Sequence, residues 1–485
     1  MQTDGKVVVD FMERQELIQT QINALAASVN GQLPDDAALL DEVTGLVEWP
    51  RAVLGRFDDA FLSIPAECLI SSMRDHQKYF HLTDDKSQLL PYFITVSNIE
   101  SHDEPRMVSG NERVLRARLS DADFFWQTDL SVPLSTMGER LNNVLFHVKL
   151  GTIGQKTERL MQLSVQLAER LNADPSVTQR AAQLCKADLV SGMVGEFDEL
   201  QGIMGHYYAK QQGEPQLVGE AIEQHYWPKF AGDQLPQSAE AQSLAIADKL
   251  DSLVGIYAAG EIPTGDKDPY ALRRAALSIL RIIIEHQHDL SLNDLVALSA
   301  DAYRAEQGFS IADDTLDSIQ SFIEGRIPAY YQSQDIPATH IQAVAVCHPE
   351  NPLDFEQRLK GVSAFSQLPE ANDLAAANKR ISNILKKQSL AQEASVNESM
   401  LVEEAEKNLF KAIEAVSAKC QALFDNGLYG DGLHLLASLR EPIDTFFDQV
   451  MVMAEEVALQ NNRLALLKRV QDCFLQVADV SHLQS

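Results

Sequence analysis

The chain has 485 residues, 45% of them hydrophobic, with 24 Gly, 18 Pro and no low-complexity block, which allows roughly two to four domains, each with its own core. Its 70 Asp and Glu against 40 Lys and Arg leave a formal charge of −30; this excludes unspecific attraction to nucleic acid over the whole surface, so a few arranged cations would have to meet any polyanion. The five scattered cysteines (Cys68, Cys185, Cys347, Cys420, Cys473) form no CxxC, which argues against a disulfide framework or a thiolate zinc site and suits a reducing, cytoplasmic setting.

The first part reads as mixed α/β. "KVVVDF" predicts a short strand, "MERQELIQTQINALAASV" a helix and "LLPYFITVSNIE" a strong strand, with a helix-rich segment between the last two, punctuated at Trp49-Pro50 and Ile64-Pro65. In "DHQKYFHL", His76 and Lys78 beside Tyr79 could grip a sugar–phosphate backbone or stack on an unpaired base. The alternative puts Tyr79 and Phe80 in the core and bonds His76 to a carbonyl, and residue chemistry favours it. "GNERVLRARLSDADFFWQTD" carries Arg113, Arg116 and Arg118, either as a phosphate-binding face or as a helix paired internally with acids such as Asp121 and Asp123.

From about Leu141 the strand signal nearly vanishes and apolar residues recur three and four apart. "GTIGQKT" has Gln155 where a phosphate loop needs Gly, so it predicts a turn before a helix. "CKADLVSGMVGEFDELQGIMGHYYA" brings Lys186, Asp188 and His206 together in sequence, followed by His225, Asp248 and Asp251. His and carboxylate on neighbouring helices could hold a water-activating metal. A lysine among them would compete for the same charge, which favours an internally satisfied network with Lys186 neutralising Asp188 or Asp248. In "PTGDKDPYALRRAALSILRII", Asp268-Pro269 predicts a helix start with Pro at the first position, and Arg273 and Arg274 then sit against the positive end of the helix dipole. "NKRISNILKK" places Lys379, Arg380, Lys386 and Lys387 on an amphipathic helix with no acid inside the run, the best local polyanion candidate, against the alternative of a solvated face.

Together with "EVTGLVEWP", "FLSIPAECLISSMRDHQKYF" and "FFDQVMVMAEEVALQNNRLALL", these stretches resemble the β subunit of the bacterial two-subunit glycyl-tRNA synthetase almost from end to end. The chain begins inside the family pattern, so a further N-terminal portion is expected. The resemblance implies a mainly α, multidomain fold with a mixed α/β N-terminal part: residues 1–140 a mixed α/β body, 141–300 a degenerate HD-like helical domain, 301–372 a helical linker and 373–485 an anticodon-binding helical domain like that of arginyl-tRNA synthetases. It implies a tRNA-binding subunit of glycine–tRNA ligase, inactive alone, with the active site on a partner α subunit in an α2β2 assembly. The partners implied are that subunit and tRNA(Gly), with no membrane and no DNA. This chain would bind no cofactor or metal, ATP and Mg being used through the α subunit. The tRNA-binding candidates are then the four basic-helix residues, Arg463, Arg273 and Arg274, Arg113, Arg116 and Arg118, and His76 and Lys78. In the HD-like region Asp248 fits the last metal-ligand position, but Cys185 and Lys186 stand where a His-Asp pair belongs. The rival readings are a metal-dependent HD phosphohydrolase and a scaffold that does not touch RNA.

Overall fold

The computed structural model describes residues 6–307, 309–349, 351–388 and 395–484. By internal contacts the chain divides into two compact units, Met1–Tyr226 with Gln237–Leu244, and Trp227–Pro236 with Ala245–Ser485. The fold is mainly helical, with one three-stranded sheet and a two-stranded ribbon among the described residues. No helix among them is long and apolar enough to cross a membrane.

The expected strand over "KVVVDF" does not form. Val8 N–H makes a bond of 2.9 Å to the Glu48 carbonyl, with no ladder around it. Asp10 then accepts from Glu13 N–H at 2.9 Å and caps α1 (Phe11–Ser28). The segment expected to be helix-rich contains α2 (Ala37–Leu46) but also β1 (Arg51–Arg56) and β2 (Phe80–Thr83). Both strands pair antiparallel with β3 (Leu89–Ser97), in the order β1-β3-β2. Pro50 keeps Trp49 out of the helical region, and Gly55 is a poor helix former. The deciding interaction is non-local: all six β1 residues find partners on β3, from Arg51 opposite Ser97 to Arg56 opposite Tyr92.

One face of this sheet meets α1 and α2 in a core of Ile18, Ile22, Leu39, Val43, Phe80, Leu82 and Ile94. The other face turns Phe93 under β1, where a Cβ on Gly55 would lie 2.3 Å from its ring. The long helix α3 (Glu104–Leu130) docks beside β1, with Tyr79 Oη donating to Asn111 at 2.8 Å and Arg56 N–H to Glu112 at 2.9 Å. Further along, "GTIGQKT" is a turn into α4 (Ile153–Leu171). The Gln155 that rules out a phosphate loop closes a capping box with Thr152, the two bonds being 3.2 and 2.9 Å. Three shorter helices complete the first unit's polar region: α5 (Pro175–Leu184), α6 (Ile203–Gln211) and α7 (Gln216–Gln224).

The second unit takes in most of α8 (Ala239–Ala258) and then α9 (Leu272–Glu285). Helix α9 starts three residues later than Asp268-Pro269 predicts, because Pro269 to Ala271 form a turn in which Ala271 takes a left-handed φ of 55°. The turn carries the Asp268 carboxylate beneath the helix, where it accepts from Leu272 N–H at 2.8 Å and Arg273 N–H at 2.9 Å. A negative charge therefore sits at the dipole end that the two arginines face.

The C-terminal bundle contains α10 (Ala371–Lys386), α11 (Glu404–Phe424), α12 (Arg440–Gln449) and α13 (Val457–Leu475). Residues 389–394 of the expected helical block lie outside the described residues. One buried ion pair organises the bundle. Arg463 Nε lies 2.5 Å from Glu406 Oε1, with the two side chains 6% and 1% exposed. Glu406 Oε2 accepts from the N–H groups of Val402 and Glu403, and Arg463 Nη1 donates to the Met451 carbonyl. Arg463→Ala would leave that carboxylate buried and uncompensated, and we expect a loss of roughly 3–5 kcal/mol in urea unfolding. Arg463→Met combined with Glu406→Gln keeps the capping acceptor without a charge and should recover most of this. Equal losses in both variants would assign the cost to packing.

Candidate nucleic-acid interface and polar centre

The polar centre of the first unit is built on the loop after α5 and on the ends of α6 and α7. Lys186 is buried with its Nζ 2.8 Å from His225 Nε2 and 4.1 Å from the centre of the Tyr226 ring. His225 Nδ1 lies 2.6 Å from the Ile222 carbonyl, which can only accept. Nδ1 therefore carries the proton, and Nε2 offers its lone pair to the lysine ammonium. The nitrogen that a metal would need is already occupied by a cation.

Asp188 is not held by a direct contact to Lys186. Its Oδ2 accepts from Gly202 N–H at 2.6 Å and Gly205 N–H at 2.9 Å. Gly202 has φ of +83°, and a Cβ on Gly205 would lie 2.6 Å from Ile222 and 3.1 Å from the carboxylate, so glycine is required at both positions. Burial pushes the Asp188 carboxyl up to about 6, against the opposing pull of the two N–H groups and of Lys186. His206 stands apart from these groups, half-buried, with Nδ1 2.6 Å from Glu223 Oε2. Asp248 and Asp251 lie on α8, in the stretch belonging to the second unit, where the buried Asp251 accepts from Tyr303 Oη through its carbonyl at 3.0 Å. Among the described residues, no three His, Cys, Asp or Glu side chains form a group that could hold a metal ion.

The candidate cations divide by whether an acid has claimed them. Lys78 pairs with Glu42 at 3.0 Å, while His76 is exposed and stacks on Phe197 at 5.1 Å rather than bonding to a carbonyl. Tyr79 and Phe80 are in the core as expected. Arg274 donates to the Lys229 carbonyl at 2.9 Å, and Arg273 is half-buried above the Asp268 cap. Arg463 is a correction: the pair with Glu406 removes it from any surface, and nothing in the sequence spacing reveals a partner 57 residues away. Arg113, Arg116 and Arg118 are all exposed on α3, and none is in an ion pair among the described residues.

Helix α10 carries a run of free cations with no acid inside it. Leu374, Ala375, Asn378 and Ile381 face the bundle, and Gln471 donates to Ser382 at 2.6 Å. This orientation leaves Lys379, Arg380, Lys386 and Lys387 exposed, with no acid in ion-pair contact among the described residues. Lys379, Arg380, Asn383 and Lys387 line an open groove of about 500 Å³ together with Gln484. Steps of four residues set side chains about 6 Å apart along the helix, so Lys379, Asn383 and Lys387 form a row of donors. The Arg380 guanidinium is held 4.0 Å from the Phe447 ring centre, and Phe447 belongs to an adjoining groove with Asp373, Arg440, Asp444 and Asp448. Asn383, Phe447 and Gln484 escape sequence reasoning because only the fold brings them to the basic helix.

Residues 1–346 match the family described as glycyl-tRNA synthetase beta subunit, and residues 374–480 match the DALR anticodon binding domain, which takes in nearly all of α10. The chain is 47% identical over 489 residues to the glycine–tRNA ligase beta subunit of Marinobacter nauticus, an alignment covering 100% of this chain and 69% of that protein. It is 48% identical over 480 residues to the glycine–tRNA ligase beta subunit of Acinetobacter baylyi, covering 99% of this chain and 69% of that one.

The raised Asp188 carboxyl sets a pH dependence. Its folded value of about 6 exceeds the ordinary 3.8, so its contribution to stability is complete below about pH 4 and is lost as pH rises through 6. Asp188→Asn retains an oxygen for the two glycine N–H groups and does not titrate. Relative to the parent, its unfolding free energy should gain about 2–3 kcal/mol between pH 4 and pH 7. A difference independent of pH would contradict the assignment.

Proposed function

This chain belongs to the glycyl-tRNA synthetase β-subunit family, and we propose that within it the groove of α10 is where tRNA is gripped. It is the tRNA-binding subunit of glycine–tRNA ligase, an aminoacyl-tRNA synthetase, and works with an α subunit in attaching glycine to tRNA. The finer reading is ours: an α2β2 assembly in the cytoplasm, acting on tRNA(Gly), with ATP and Mg used through the α subunit.

The observation that carries the α10 assignment is a row of exposed cations without acid partners in a chain of charge −30. The phosphate backbone supplies most of the affinity of such interfaces, through release of its counterions. The net acidic surface repels RNA, so orientations that do not bring the phosphate backbone to a local cationic face are disfavoured. The free arginines of α3 are the next candidates in the other unit. The chain's own chemistry does not support phosphohydrolysis, since Cys185 and Lys186 replace the His-Asp pair and the ammonium occupies the lone pair of His225.

Changing Lys379, Arg380, Lys386 and Lys387 to Ala should weaken tRNA binding at least tenfold at 0.1 M salt. It should also lower the log–log salt slope by roughly 0.9 for each phosphate no longer neutralised. Filter binding across a salt series measures both, with circular dichroism as the folding control. Unchanged affinity and slope in a folded variant would remove α10 from the interface. The purified chain, free of α subunit, should show neither ATP–pyrophosphate exchange nor stoichiometric Mn, Zn or Fe. Either finding would return catalysis to this chain.

A further inference from the structure

The second unit carries an apolar patch that the tRNA reading does not use. Val402, Met451, Met453 and Val457 are 62%, 76%, 47% and 67% exposed. The stretch "VMVM" alternates as an extended segment does, with Val450 and Val452 buried and the two methionines turned outward. The same Glu406–Arg463 pair ties these segments together. Glu406 Oε2 accepts from Val402 N–H at 2.6 Å and from Glu403 N–H at 2.8 Å, while Arg463 reaches the Met451 carbonyl at 2.8 Å. Asn462 holds Asn397 through both its N–H and its carbonyl, at 2.7 and 3.1 Å, and Gln460 approaches the Met453 sulfur at 3.8 Å. Two loops and the first turns of α13 are thereby fixed before anything binds.

Apolar side chains scattered singly over a surface need no explanation, but a contiguous patch with a polar rim marks an interaction site. This rim has one sign. Glu398, Glu403, Glu404, Glu455 and Glu456 are all exposed on the same segments, and the cation among them, Lys407, lies 3.9 Å from Glu404. Five exposed carboxylates on the segments that carry these apolar side chains repel a phosphate backbone and complement a partner that is both apolar and basic. Methionine suits such a surface because its unbranched, polarisable side chain adapts to the face it meets. We propose that this patch docks a basic amphipathic helix of a protein partner, laid with its apolar face on Met451, Met453, Val402 and Val457 and its lysines or arginines on the glutamate rim. The site is chemically opposite to the α10 groove and does not depend on the assignment of that groove.

The probe is an 18-residue amphipathic Leu/Lys peptide with a fluorescent label, titrated against the full chain by anisotropy. A Ser/Lys peptide of equal charge is the control for generic attraction to an acidic protein. The parent should bind the Leu/Lys peptide at least tenfold more tightly than the Ser/Lys peptide. The triple variant Val402→Ser, Met451→Ser, Val457→Ser, all exposed positions, should lose that preference and keep its tRNA affinity. Glu455→Gln with Glu456→Gln should weaken the peptide severalfold and flatten its salt dependence. Equal binding of both peptides by the parent, or no loss in the triple variant, would overturn the proposal. A fall in tRNA affinity in the triple variant would do so too, by assigning the patch to RNA.

Discussion

Charge is the constraint on which the rest depends. With 30 more acids than bases, carboxylates greatly outnumber cations in this chain, and the fold uses many of them to hold cations internally. Arg74 is held by Asp36, Lys78 by Glu42, Arg180 by Glu214, Arg358 by Asp354 and Arg463 by Glu406. A cation left exposed and unclaimed against that background carries information, because an acid could readily have been placed beside it. Helix α10 answers that description. The acid on its own first turn, Asp373, is occupied by Arg440 at 2.5 Å and does not neutralise the run that follows. The chain thus keeps one helix face cationic while the overall field remains strongly negative.

The polar centre shows the same principle in the interior. A buried lysine, histidine and aspartate would each be costly alone. Together they are partly reconciled by shared hydrogen bonds: Nδ1–H of His225 to the Ile222 carbonyl, the ammonium to Nε2, and two glycine N–H groups to Oδ2 of Asp188. Sequence alone predicts that Lys186 neutralises Asp188 or Asp248. In the structure it meets an imidazole and an aromatic face, and acts on Asp188 through space. The consequence for metal chemistry is that a cation already faces the imidazole nitrogen that a metal would need.

Local signals were legible where the physics is local. The three-and-four spacing marks α1, α4, α9 and α10, and the Gln155 that breaks the phosphate-loop pattern is the residue that caps the helix. The four α10 cations are exposed as their amphipathic spacing implies, because Leu374, Asn378 and Ile381 occupy the opposite face. The misses at β1 and Arg463 are non-local. β1 exists because β3 lies ready some 40 residues later, and Arg463 is buried because Glu406 waits on another helix. Asp268 caps α9 only after a left-handed Ala271 folds it back. Neither the β1–β3 pairing nor the Glu406–Arg463 pair leaves a mark on the short stretch that would have to reveal it.

The central claim is that tRNA lies on α10, and lysine reactivity tests it without altering the protein. Acetic anhydride labelling of the chain, with and without tRNA(Gly), followed by mass spectrometry gives a rate for each lysine. The account predicts that tRNA slows acetylation of Lys379, Lys386 and Lys387 severalfold while Lys86, exposed between β2 and β3, reacts at an unchanged rate. Equal rates at the three α10 lysines under saturating tRNA would contradict it.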